Sequence, residues 1–177
     1  MLWTMAHYNS GPIAVRYPRG PGTGAQIKSE PKLLEIGKAE VVQHGREVAI
    51  FGLGNMFEVA EEAARKLEQK GISVALINPR WIKPMDTGTL EFFARSVDVV
   101  CTIEDHVLYN GFGCAVMEHL HSHMINTPVV RIGWPDQFIE HGAVPILRKK
   151  HGITADALVE KVLPLLSKKS KLKPSVA

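Results

Sequence analysis

Two rhythms of apolar residues alternate along most of the chain. In one, apolar side chains follow each other almost without a break, as at residues 73–77, 97–103 and 129–132. Such runs predict strands buried on both faces, which is how strands of a helix-covered parallel sheet read. In the other, apolar positions recur at helical spacing. Residues 57–67 carry Val59, Ala60, Ala63, Ala64 and Leu67, and residues 87–95 carry Leu90, Phe93 and Ala94. Further helices are predicted at 114–124, 144–149 and 155–166. Residues 38–43 and 47–51 are two β-rich segments around the turn residues His44 to Arg46, which predicts a hairpin and an antiparallel strand at or near an edge. The fold class that follows is α/β: a three-layer αβα domain with a mostly parallel sheet and one antiparallel edge strand.

The first fifth of the chain is less regular. Residues 2–7 suit the last turns of a helix, and residues 13–17 a short strand. Residues 20–32 hold glycine, proline and polar side chains with little to bury, the composition of a linker. A helix end, a strand and a linker do not make a domain. The expected division is an edge of another domain at 1–20, a linker at 21–35, the α/β domain at 36–167 and a basic tail at 168–177.

Composition narrows the classes of function. The 177 residues are 45% hydrophobic and 22% charged, enough for one self-sufficient core. The net charge is +3, but four lysines stand in the last ten residues and no acid stands with them. The body is therefore close to neutral, which argues against a nucleic-acid-binding face. Cys101 and Cys114 lie in apolar surroundings, which suits reduced thiols and a cytoplasmic setting. No apolar run is long enough to span a membrane, so no membrane partner is expected.

Each candidate for chemistry has a structural alternative. Gly52-Leu53-Gly54 between a strand and a helix suggests a dinucleotide turn, but the third glycine of that pattern would fall at Phe57. The next strand ends in Asn78-Pro79 without an acid for a ribose, so a tight strand-to-helix turn is the better reading. Glu104-Asp105-His106 closes a buried strand, and Gly111-Phe112-Gly113 opens the next helix. Strand carboxyl ends are where α/β sheets hold ligands, so two carboxylates beside an imidazole suit acid–base work. They suit better the part of helix caps and partners for basic groups at a domain contact. Asp136 and His141, in a loop rich in turn formers, are open to the same two readings. His119 and His123 are one helical turn apart, but no third ligand stands at a fixed spacing, and no metal site is expected. Trp81 and Ile82, between Pro79 and Pro84, and Met85 just after them predict a body that self-associates or carries a sticky apolar face. Arg16 and Arg19 flank a strand end, where planar guanidinium forks suit a phosphate.

The segment MLWTMAHYNSGPIAVRYPRG, followed by a linker and IGKAEVV, resembles the 1-deoxy-D-xylulose-5-phosphate synthase family. INPRWIKPMD, TIEDHVLYNGFGCAV and GWPDQFIEHG extend the resemblance over nearly all of the chain except the lysine tail. The family belongs to the transketolase-like enzymes that depend on thiamine diphosphate and Mg2+. The resemblance implies the end of a pyrimidine-binding domain followed by a whole C-terminal domain, within a homodimer whose N-terminal domains hold the cofactor. It implies an enzyme in which pyruvate loses CO2 and its two-carbon remainder joins glyceraldehyde 3-phosphate, toward isoprenoids and thiamine. Only Arg16 carries over with a substrate role, as ligand of the aldehyde's phosphate. Arg19 is part of the motif but takes a structural part. No catalytic residue falls in this segment, which the resemblance leaves to brace the dimer. Asn110-Gly111-Phe112-Gly113-Cys114 departs from the Gly-Gly-x-Gly-Ser loop of close relatives. Two other readings stay open: the C-terminal domain of another transketolase or of a 2-oxoacid dehydrogenase beta chain, and a stand-alone module that binds a small ligand. The GPIAVRYPRG edge speaks against the module, and the second arginine of RYPRG against the beta chain.

Overall fold

Five of the six expected strands join one sheet in the computed structural model, which describes residues 1–18, 22, 24 and 30–172, with side chains as far as Leu166. The strands are β1 (Glu40–Gln43), β2 (Val48–Gly52), β3 (Val74–Asn78), β4 (Val99–Val107) and β5 (Val129–Trp134), in the order β1-β3-β2-β4-β5. β2 pairs in parallel with both β3 and β4, and β4 in parallel with β5. β1 runs antiparallel to β3 at the edge.

The edge position of β1 was expected, but its pairing was not. It does not form a hairpin with β2. All five residues of β2 are buried, as a central strand requires, whereas β1 alternates exposed and half-buried positions. The link between them crosses the start of β3. Gly45 approaches it so closely that a Cβ would stand 2.0 Å from the Val74 carbonyl carbon. Gln43 Nε2 donates to the Val74 carbonyl at 2.7 Å and keeps β1 on the far side of β3.

The helices are α1 (Leu2–Ala6), α2 (Phe57–Glu68), α3 (Thr87–Ser96), α4 (Phe112–Ser122), α5 (Val144–Lys150) and α6 (Ala155–Leu172). On one face of the sheet Ile50 and Ile103 pack with Ala60 and Leu67 of α2 and with Leu158 and Val162 of α6. On the other, Ala49, Ile77 and Val100 pack with Leu90 and Phe93 of α3 and with Val116 and Leu120 of α4. A fully buried leucine, isoleucine or phenylalanine contributes about 1.5–3 kcal/mol, so both layers are strongly held. The α3 layer is also tied to the edge strand side. Asp86 caps α3 by accepting from the Thr89 N–H at 3.0 Å, and its other oxygen accepts from the Ala39 N–H at 3.0 Å. Strand and helix close up at Gly52, where a Cβ would stand 2.6 Å from that of Ala60. α6 continues past the expected end at residue 166, so the first lysines of the tail extend a helix, and residues 173–177 lie outside the described ones.

The other differences lie at the surface. α1 forms where expected, and its Thr4 hydroxyl accepts from the Leu34 N–H at 2.9 Å. Residues 13–17 form no strand, since no neighbouring strand among the described residues is there to pair with them. Arg19 and seven of the fifteen residues of the expected linker at 21–35 lie outside the described residues. Trp81 is buried rather than presented as part of a sticky face, and Met85 packs against the core, leaving only Ile82 well exposed. Both cysteines are free, and burial pushes the Cys101 thiol far up from its ordinary value. No described helix is long and apolar enough to cross a membrane.

Candidate functional site

The carboxyl end of β4 carries Glu104, Asp105 and His106 in succession. Successive side chains of a strand point to opposite faces, so adjacent carboxylates are sent apart unless the strand is distorted. The β4–β5 register does shift between Ile103 and Val107, yet the two carboxylates still part. Glu104 serves the face of α4, and Asp105 the face of α2 and α5.

Glu104 is 1% exposed. One carboxylate oxygen accepts from the Phe112 N–H at 2.6 Å and the other from the Gly113 N–H at 2.8 Å. These are free donors at the start of α4, where the helix dipole favours negative charge. The glycines of the loop make room for this contact. A Cβ on Gly111 would stand 2.3 Å from a Glu104 oxygen, and one on Gly113 would stand 2.6 Å from the Thr102 hydroxyl. Asn110, where close relatives of the resembled family have glycine, has φ of 55°, a conformation that asparagine tolerates better than most residues. The departure therefore keeps the turn.

Asp105 collects three donors from three elements. Asn55 Nδ2, in the Gly54–Met56 turn before α2, lies at 2.8 Å, Trp134 Nε1 of β5 at 2.7 Å and Arg148 Nη2 of α5 at 2.7 Å. Burial pushes the Asp105 carboxyl up, but the bonds from Asn55 and Trp134 and the charge and bond of Arg148 outweigh it, and the carboxyl stays below the usual carboxylate range. His106 turns away from both carboxylates and donates Nδ1–H to the Val107 carbonyl at 2.8 Å.

The remaining candidates do not assemble around this point. Asp136 is exposed and lines an open groove with Val107, Trp134 and Phe138. His141 is exposed in the loop before α5, and Arg16 is exposed ahead of the sheet. His119 and His123 stack at 4.1 Å on α4 and its cap, and His119 Nε2 reaches Glu91 Oε1 of α3 at 2.9 Å. Asn55, Trp134, Arg148 and Glu91 were not singled out in the sequence. Each meets its partner across many residues, and no local pattern signals such a contact.

The geometry makes these groups a frame for the strand end. Both carboxylates already hold internal hydrogen bonds, and none of the three side chains is set to pass a proton to another. For the same reason Glu104 and Asp105 do not fit a role in holding thiamine diphosphate or Mg2+. The acids at the strand ends have spent their oxygens on Phe112 and Gly113, and on Asn55, Trp134 and Arg148.

A domain of this build matches a known one. Residues 37–158 match the family described as "Transketolase, C-terminal domain", and the chain belongs to that family. Its curated relatives include the 1-deoxy-D-xylulose-5-phosphate synthase of Methylacidiphilum infernorum, 58% identical over 166 residues, which are 94% of this chain and 26% of that protein. The synthase of Acidobacterium capsulatum is 48% identical over 172 residues, 97% of this chain and 27% of that one. The chain thus spans about a quarter of the length of these relatives. Among solved structures, a split-gene transketolase described as an inactive beta4 tetramer superposes with a TM-score of 0.70 at 35% identity, over 81% of this chain and 46% of that one.

Two outcomes follow from the frame. Glu104→Gln keeps the shape but leaves one acceptor oxygen, so it should cost about 1.5–3 kcal/mol, the worth of one hydrogen bond to a charged group. Urea unfolding measures this, and an unchanged midpoint would show that α4 does not depend on the contact. Asp105 has a lowered folded-state pKa, so its contribution is complete above the ordinary aspartate value near 4 and is lost as pH falls below it. Asp105→Asn should therefore flatten the pH dependence of the unfolding free energy below about pH 4. Equal acid slopes in both proteins would contradict this.

Proposed function

We propose that the chain is the C-terminal segment of a transferase that condenses pyruvate with glyceraldehyde 3-phosphate into 1-deoxy-D-xylulose 5-phosphate, with release of CO2. The reading is carried by the extent of the likeness to the Methylacidiphilum infernorum synthase. A 58% identity over 94% of the chain leaves too few residues outside the match to omit Arg16, whichever end they fall at. The reading therefore draws on the edge ahead of the α/β domain as well as on the domain.

In this enzyme the segment braces a cytoplasmic homodimer, and the N-terminal domains hold thiamine diphosphate and Mg2+. The cofactor supplies the carbon–carbon bond chemistry when bound. Residues 1–20 form the edge of the pyrimidine-binding domain, and Arg16 is their contribution to the substrate. Its fixed positive fork pairs with the dianionic phosphate of the aldehyde, a contact that pyruvate does not need. The exposed position of Arg16 in this chain agrees with a pocket whose other walls lie elsewhere in the enzyme.

The isolated chain should be inactive and should show no saturable heat on calorimetric titration with thiamine diphosphate and Mg2+. A micromolar dissociation constant would overturn that part of the proposal. In the complete enzyme, Arg16→Ala should lower use of glyceraldehyde 3-phosphate by roughly tenfold to a hundredfold and leave pyruvate nearly unaffected. Steady-state kinetics with each substrate varied in turn separates the cases. Equal losses for both substrates would make Arg16 a scaffold residue.

A further inference from the structure

α3 and α4 lie side by side on one face of the sheet, and three side chains of metal-ligand type meet where their outer sides touch. Glu91 comes from the middle of α3, His119 from the last turns of α4, and His123 from the residue that closes α4. One ligand atom from each lies within 4.8 Å of the other two. The two histidines alone would leave a metal half-coordinated, and the third donor that the sequence does not signal arrives from the neighbouring helix.

We propose that Glu91, His119 and His123 form a site for a divalent transition metal of the zinc class, which clasps α3 to α4. The donor set is two imidazole nitrogens and one carboxylate oxygen, a combination that suits zinc, with a fourth position left to water. The second layer of contacts is already in place. His123 Nδ1 stands 2.8 Å from the His119 carbonyl, which can only accept, so Nδ1 carries a hydrogen and Nε2 is the nitrogen left for a metal. A ligand histidine whose other nitrogen donates to a backbone carbonyl is oriented in the way metal sites require. Glu91 is steadied on its second oxygen by Arg95 Nη2 at 3.4 Å.

Little has to move. Zinc–ligand bonds of about 2.0–2.1 Å put tetrahedral ligand atoms roughly 3.4 Å apart. Glu91 Oε1 now stands 2.9 Å from His119 Nε2, with a hydrogen between them. The metal takes the place of that hydrogen. The proton shifts to Nδ1 if the ring is neutral and leaves to solvent if the ring is charged, and the oxygen draws back by a few tenths of an ångström. His123 is exposed and free to swing in, while His119 and Glu91, with side chains 16% and 28% exposed, provide the firm half of the site. The site is about two helical turns along α4 from its start at Glu104, so it is separate from the strand-end frame and independent of the proposed activity.

The test is a zinc titration of the full chain, purified without a polyhistidine tag, stripped of metal and read by competition with a chromogenic chelator. One equivalent should bind with a micromolar dissociation constant, and cobalt(II) should give the visible spectrum of a four-coordinate site. Losing a ligand should cost at least the roughly tenfold that losing an outer partner costs, so Glu91→Gln and His123→Ala should each weaken binding by that much or more. Both positions are at the surface, and circular dichroism checks that the variants fold. His121→Ala, on the same helix but outside the cluster, should bind as the parent does. Absence of saturable binding, a cobalt spectrum of octahedral type, or affinity unchanged in Glu91→Gln and His123→Ala would overturn the proposal.

Discussion

Two hydrogen bonds from backbone amides to one buried carboxylate hold the carboxyl end of the sheet together. Glu104 is shut away from water, and burying a carboxylate is costly unless its oxygens are satisfied. Phe112 and Gly113 satisfy them, and α4 gains a counter-charge at its positive end. The requirement spreads outward. Gly111 and Gly113 must lack side chains for the helix to come so near, and Asn110 must take a left-handed turn to bring it there.

The next residue does the same work for the other layer. Because strand side chains alternate, Asp105 points away from α4 and ties together the turn before α2, β5 and α5. Two neighbouring acids thus fasten helices on opposite faces of a single strand. The arrangement explains why a strand end that looks catalytic in sequence is rigid in the fold. A carboxylate fixed by two or three donors positions its surroundings well.

How much of this the sequence discloses depends on the range of the interaction. The continuous runs of β3, β4 and β5 and the periodic faces of α2 and α3 are legible because burial is written into consecutive residues. The pairing of β1 is not, since a turn at residues 44–46 is as compatible with a hairpin as with a crossing over the start of β3. Only the close approach of Gly45 to Val74 distinguishes them. The acid motif at Glu104 stands out in the sequence, while its partners do not. Asn55 is 50 residues from Asp105 and Arg148 is 43. Residues 13–17 have the composition of a strand, but a strand is a property of a pair, and composition does not supply the second member.

The placement of β1 also fixes an order of events during synthesis. As the first strand of the sheet to leave the ribosome, it must wait, because its partner among the described residues is β3, which emerges only after β2 and the whole of α2. The parallel pairing of β2 with β3 across that helix is the slow kind of closure, since a long loop must be ordered before any contact rewards it. Until then the nascent chain carries a β-rich segment with unmet backbone donors and acceptors. Its charged N-terminal end, Glu40 and the nearby Lys38, is the kind of chemistry that discourages such a segment from pairing with a neighbour on the same message.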